Sequence, residues 1–206
     1  VQVLQERPRA EVQLDDIRAA AEKLHEGMRN YGSVENSRKA PLVSAILLAL
    51  KNEYFKVSML EGRSPDNNGK VWDGRIIYDH AKQYMESEAL MPQQKIGTLL
   101  DQFSFMSKAP ALNRINTTLG ESPLKWMTRI LQEEVLHVVT DPSITAFDVL
   151  GNFYHEFISY GGGDGSGLGI VLTPEHVTTL MSEIIDVSAS DYVLDPTAGT
   201  ASFLIA

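Results

Sequence analysis

Tyr192-Val193-Leu194-Asp195-Pro196-Thr197-Ala198-Gly199-Thr200-Ala201-Ser202-Phe203-Leu204 is the stretch on which the fold assignment turns. Tyr192 to Leu194 is short, aromatic, β-branched and apolar, the composition of a buried strand. Asp195 to Ala201 carries proline and glycine and predicts a loop, and Ser202 to Ala206 begins another apolar element. Immediately upstream, Pro174 to Ile185 predicts a helix, with Thr173 as its cap and Val177, Leu180, Met181 and Ile184 as its buried face. Asp186 to Asp191 is a polar turn between the two. Helix, strand, glycine loop and helix start together predict the opening of a doubly wound, Rossmann-like α/β domain. In such a domain ligands sit beyond the carboxyl ends of the strands, so Asp195 and Gly199 fall where a polar ligand would lie. The loop is a weak match to a dinucleotide fingerprint, because Gly199 is its single glycine and Ala201 stands where a second would be, and Asp-Pro followed by a single glycine is also a common turn.

Working back from this stretch, Gly161 to Gly169 (GGGDGSGLG) holds six glycines in nine residues and predicts a flexible connection. It lacks the Lys-Ser/Thr that would make it a phosphate-binding loop. Residues 1–158 predict an all-α domain, residues 159–169 a linker, and residues 170–206 the start of the α/β domain. In the first of these, residues 16–31 carry Ile17, Ala20, Ala21, Leu24, Met28 and Tyr31 at helical spacing. Residues 41–51 predict a buried helix with Pro41 in its first turn. A third helix runs from about Gly74 to Leu90. Pro92 and Pro110 bracket a segment with Ile96, Leu99, Leu100 and Phe103. Ser122-Pro123 is a cap followed by proline, leading through Leu124, Met127, Leu131, Val135 and Val138. Phe147 to Ile158 closes the domain, with Val149, Leu150, Phe153 and Phe157 on one side.

The 206 residues carry a net charge of −9 and no cysteine. Disulfides, thiol nucleophiles and thiolate zinc sites are thereby excluded, and the composition suits a reducing cytoplasm. The longest apolar run, Leu42 to Leu50, falls well short of the ~20 residues of a membrane span. All 18 lysines and arginines lie at or before Arg129. Residues 130–206 hold 11 acidic residues and no Lys or Arg, whereas the first 129 residues sum to +2. Arg38, Lys39 and Lys51 come nearest to a basic cluster, and scattered cations of this kind ordinarily form a solvated face. His25, His80, His137, His155 and His176 show no metal-ligand spacing, and no metal is expected. Trp72, Trp126 and the methionines are expected in the core. The chain opens Val1-Gln2-Val3 and closes on the apolar Phe203 to Ala206, so it is expected to be a piece of a longer protein.

Asp195-Pro196-Thr197-Ala198-Gly199-Thr200-Ala201-Ser202-Phe203-Leu204 resembles the S-adenosylmethionine motif of amino-directed DNA methyltransferases, Asp-Pro-x-x-Gly-x-Gly/Ala-x-Phe-Leu. About twenty residues earlier, Leu168 to Val177 (LGIVLTPEHV) is similar to the Gly-x-Phe/Tyr-x-Thr-Pro motif of the same enzymes. Phe147 to Ile158 resembles the helix that precedes it. A helical domain of some 150 residues ahead of these motifs is similar to the modification subunit of type I restriction-modification systems. The resemblance implies an adenine-specific DNA methyltransferase using S-adenosylmethionine. Its partners would be DNA and specificity and restriction subunits, with no membrane.

Position by position, the resemblance places Ile170, Val171, Leu172, Thr173, Pro174 and Glu175 along one side of the cofactor. Asp195, Gly199, Thr200, Ala201 and Ser202 would lie under its methionine part. Val171 and Leu172 depart from the family's aromatics there. The catalytic Asn/Asp-Pro-Pro-Phe/Tyr motif is absent from the 206 residues and is expected further along the chain, as is the acid that binds the ribose. No catalytic residue is therefore assigned, and the 206 residues alone are expected to be inactive. A helical protein-protein or DNA interaction module with a non-catalytic α/β part is the alternative.

Overall fold

The computed structural model describes residues 9–66, 70–88, 92–136, 153, 173, 175–188, 190–198 and 203. Within these the protein is mainly helical, and no strand occurs among the described residues. Seven α-helices run in order: α1 Arg9–Asn30, α2 Asn36–Lys51, α3 Asp73–Ser87, α4 Gln93–Phe103, α5 Pro110–Asn113, α6 Pro123–Ile130 and α7 Glu175–Ile185. Short 3-10 turns lie at Val57–Met59 and Ser104–Ser107, and α6 continues as a π-helix over Leu131–Leu136.

Each helix buries the stripe that its spacing implies. In α1 this is Ile17, Ala20, Ala21, Leu24 and Met28; in α3 it is Ile77, Ala81 and Met85. In α6 and its π continuation it is Leu124, Met127, Ile130, Leu131 and Val135. α2 packs most extensively on α3, α4 lies against both, and α6 with its π turn closes on α1. Phe153 is buried in the same core, so the one described residue of the expected 147–158 helix sits as predicted. Val138 and the rest of that helix lie outside the described residues.

Several boundaries differ from the sequence reading. α1 begins at Arg9 rather than near residue 16 and ends before Tyr31, whose ring meets Trp126 edge-on at 5.9 Å. α2 begins at Asn36, which puts Pro41 inside the helix instead of in its first turn. Proline there removes one backbone bond. The burial of Leu42, Val43, Ala45, Ile46 and Ala49 offsets that loss. α3 stops at Ser87, short of Leu90. The Pro92 segment is divided, because α4 tightens into the 3-10 turn at Ser104. Met59 and Met181 are exposed, against the expectation for methionine.

Two polar clusters tie the loops to the bundle. The buried Asp73 carboxylate accepts from the Glu61 and Gly62 amides at 3.0 and 3.1 Å and from the Ser122 hydroxyl. The Ser122 oxygen also caps α6 by accepting from Lys125 N at 3.1 Å. Next to it, Asn113 Oδ1 accepts from Gly74 N at 2.7 Å, and its Nδ2 donates to the Met106 and Ala109 carbonyls. Lys39 is also inside, not on the surface as the cluster of Arg38, Lys39 and Lys51 suggested. It is 3% exposed, with Nζ 3.0 Å from His25 Nε2. Burial, and then repulsion from Arg29, hold the Lys39 ammonium below its ordinary pKa.

Candidate cofactor-side site

α7 is amphipathic in sequence, yet its apolar residues face outward. Leu180, Met181, Ile184 and Ile185 are exposed, Val177 is half-buried, and Thr178 is the side chain that packs inside. The expected buried face is thus not buried among the described residues. An apolar stripe is covered only where another element lies over it, and no described element does so. The helix ends at Asp186, whose φ of 51° lies in the left-handed region and whose amide bonds the Ser182 carbonyl.

The polar turn that follows is closed on itself. Asp191 Oδ2 accepts from the Ser188 amide at 2.8 Å and from its hydroxyl at 2.7 Å, while Asp191 N donates to the Ser188 carbonyl. The hydroxyl bond first, and the amide bond second, hold the Asp191 carboxyl below the usual carboxylate range.

Tyr192, Val193 and Leu194 do not form the expected strand. They are exposed, Tyr192 fully and Leu194 to 86%. A strand exists only when its amides and carbonyls pair with a neighbour, and no described segment runs beside this one. Asp195 ends the segment and turns the chain. Its Oδ1 accepts from Thr197 N at 2.9 Å and from Thr197 Oγ1 at 3.2 Å. This is an Asx turn, for which the Asp-x-Thr spacing was a readable signal. Both of these bonds go to Oδ1.

Of the eleven expected site residues, Thr173, Glu175 and Asp195 fall within the described residues. Thr173 is exposed just ahead of α7, Glu175 opens that helix, and Asp195 holds its turn. Asp195's described bonds stay within that turn, and none joins it to Thr173. Ile170, Val171, Leu172, Pro174, Gly199, Thr200, Ala201 and Ser202 lie outside the described residues, as does the Gly161 to Gly169 tract. No group of three or more His, Asp or Glu with metal-binding geometry occurs among the described residues. No helix among them is long and apolar enough to cross a membrane.

The segment that holds both motifs is also the segment with a family match. Residues 145–206 match the N-6 DNA methylase family. The methylase match begins just before Phe147 and runs through Thr173-Pro174-Glu175 and the Asp195 turn. Over 205 residues the chain is 45% identical to the type II restriction enzyme and methyltransferase RM.BcgI of Heyndrickxia coagulans. That alignment takes in 100% of this chain and 31% of the relative, so the chain spans less than a third of the relative's length. No solved structure matches the chain.

Proposed function

We propose that these residues form the helical domain and the cofactor-side start of an adenine-N6 DNA methyltransferase in a restriction-modification system. The observation that carries the reading is the coincidence of the methylase match with the two motifs and the Asp195 turn. Residues 1–158 are the helical domain, 159–169 the glycine linker, and 170–206 the first part of a Rossmann-like methyltransferase domain.

S-adenosylmethionine, when bound, supplies the methyl group. The chain's own residues bind and orient it. Asp195, whose Oδ1 holds its turn, suits a carboxylate that also accepts from the polar groups of such a ligand. Gly199, Thr200, Ala201 and Ser202 form the loop that lets the backbone approach the methionine part. Ile170, Val171, Leu172, Thr173, Pro174 and Glu175 close over the other side. Because Val171 and Leu172 are aliphatic, they provide packing and exclude water but do not stack.

The substrate in this reading is adenine in DNA, flipped from the duplex into the site. The type I resemblance and the type II relative agree on restriction-modification and differ in subtype. The relative's name joins restriction and methylation in one protein, which favours a linked restriction activity over a separate restriction subunit. A specificity subunit remains a proposed partner, and the cytoplasm the proposed location.

The test is methyl transfer. The product of the complete reading frame is incubated with unmethylated DNA and labelled S-adenosylmethionine, and the digested DNA is resolved by chromatography. Label in N6-methyladenine is the expected result, with none from the 206-residue chain alone. Label in methylcytosine, or no transfer by the complete protein, would overturn the reading.

A further inference from the structure

The two cofactor-side segments are joined by residues 186–194, and an aspartate closes a turn on either side of Tyr192 to Leu194. Asp191 reaches back. Its Oδ2 accepts from the Ser188 amide at 2.8 Å and from the Ser188 hydroxyl at 2.7 Å. Its own amide donates to the Ser188 carbonyl at 3.0 Å, and the Ser188 and Ser190 hydroxyls lie 2.8 Å apart. Asp195 reaches forward, to the Thr197 amide at 2.9 Å. Tyr192, Val193 and Leu194 thus stand between two closed turns, neither of which needs a neighbouring strand. Among the described residues Asp191 makes no ion pair, and its bonds all go to Ser188.

α7 makes the Ser188–Asp191 turn the pivot of a lever. The 11 residues from Glu175 to Ile185 span about 16 Å at the rise of an α-helix. A swing of about 10° at the turn then moves Glu175 by about 3 Å relative to Asp195. A ligand gripped from both segments tolerates only about 0.5 Å. The connection therefore has to be held, and Asp191 holds it.

We propose that Asp191 is a positioning residue, whose bonds to Ser188 set the Asp195 turn relative to α7 and so the gap in which S-adenosylmethionine is held. The inference rests on the methyltransferase reading for the identity of the ligand. Asp191 acts through the turn and not on the cofactor. A connection already closed before the ligand arrives loses less freedom on binding, which strengthens affinity. Opening the turn weakens cofactor binding and leaves the helical core untouched, because Ser188 and Asp191 are exposed.

The experiment is calorimetric titration of S-adenosylmethionine into the product of the complete reading frame, with a thermal melt of every variant. Asp191→Ala should weaken binding about tenfold without changing the melt. Ser188→Ala keeps the amide bond and should cost about threefold. The double variant should bind no worse than Asp191→Ala alone, since both changes open one turn. Asp191→Asn keeps an acceptor oxygen in the same shape and should restore most of the affinity. Glu183→Gln removes the same charge from α7 and should leave affinity nearly unchanged, which separates the turn from simple attraction of the cationic cofactor. Should Asp191→Ala fail to fold, Ser188→Ala and Asp191→Asn carry the comparison. Wild-type affinity in Asp191→Ala and Ser188→Ala, equal losses from Asp191→Ala and Glu183→Gln, or no recovery in Asp191→Asn would each overturn the proposal. Asp195→Ala separates the two readings. Weaker binding by Asp195→Ala beside unchanged binding by Asp191→Ala overturns this inference alone, whereas no binding by the wild type overturns it together with the methyltransferase reading.

Discussion

The Asp73 carboxylate is 1% exposed and accepts from two amides and the Ser122 hydroxyl. Burial raises its pKa above the usual 3.8, and the bonds from Ser122, Gly62 and Glu61 only partly counter that. A carboxyl whose folded pKa is raised contributes stability that is fully present below its unfolded pKa and is lost as pH rises through the folded value. Asp73→Asn removes that dependence. Urea denaturation of wild type and Asp73→Asn between pH 7 and pH 4 should therefore show the variant falling further behind as pH drops. Asp73→Ala leaves the Glu61 and Gly62 amides without an acceptor and should cost roughly 2–4 kcal/mol at neutral pH. No periodicity in the sequence marked Asp73 as buried, because an acid at the start of a helix is equally well explained by the helix dipole. Lys39 was obscured in the same way. A lysine beside an arginine suggests surface, and only its contact with His25 across the α1–α2 pair shows otherwise.

Two helical glycines separate what packing decides from what propensity decides. A Cβ on Gly74 would lie 2.2 Å from the Met106 carbonyl oxygen, where α3 begins against the 3-10 turn after α4. A Cβ on Gly97, on the exposed side of α4, would have nothing within 4 Å. Gly74→Ala should destabilise by about 1–3 kcal/mol, since backbone must move. Gly97→Ala should stabilise by about 0.5–1 kcal/mol through helix propensity alone. Thermal melts of the two variants check this. α7 gives a third test at this scale. Ile184 is 72% exposed, so Ile184→Lys should leave the melting temperature of the 206-residue chain within about a degree or two. A large drop in melting temperature would mean that the α7 face is covered.

The helices were the part of this fold most legible in sequence. Stripes such as Ile17–Ala20–Ala21–Leu24–Met28 and the Ser122-Pro123 start report local geometry that survives into the packed bundle. What the sequence could not supply was anything that depends on a partner element. Among the described residues, Tyr192 to Leu194 has strand composition but no neighbour to pair with, and α7 has a core-type face with nothing over it. The Asp195 turn was legible because an Asx turn needs only residues two apart. The restriction-modification subtype was not, since the helical domain matched in architecture and not in motif.

At the scale of the whole molecule, the proposed reading divides the chain at the glycine tract into a helical unit and an acidic remainder. A chain ending at Ser159 should keep its helical circular dichroism and melt in one cooperative transition, because the hydrophobic core among the described residues is drawn from α1 to α6, their connections and Phe153. A broad, non-cooperative melt would show that the core needs the following residues. The central claim is that the Asp195–Ser202 loop holds S-adenosylmethionine. Calorimetric titration of the cofactor into the product of the complete reading frame tests it most directly, with Asp195→Ala and Gly199→Val compared with wild type and folding checked by circular dichroism. Asp195→Ala should weaken binding about ten- to a hundredfold through loss of a charge-assisted acceptor. Gly199→Val should weaken it at least as much by filling the approach to the backbone. Wild-type affinity in both folded variants would contradict the claim, remove this loop from any cofactor site, and leave a helical interaction module as the better account of the chain.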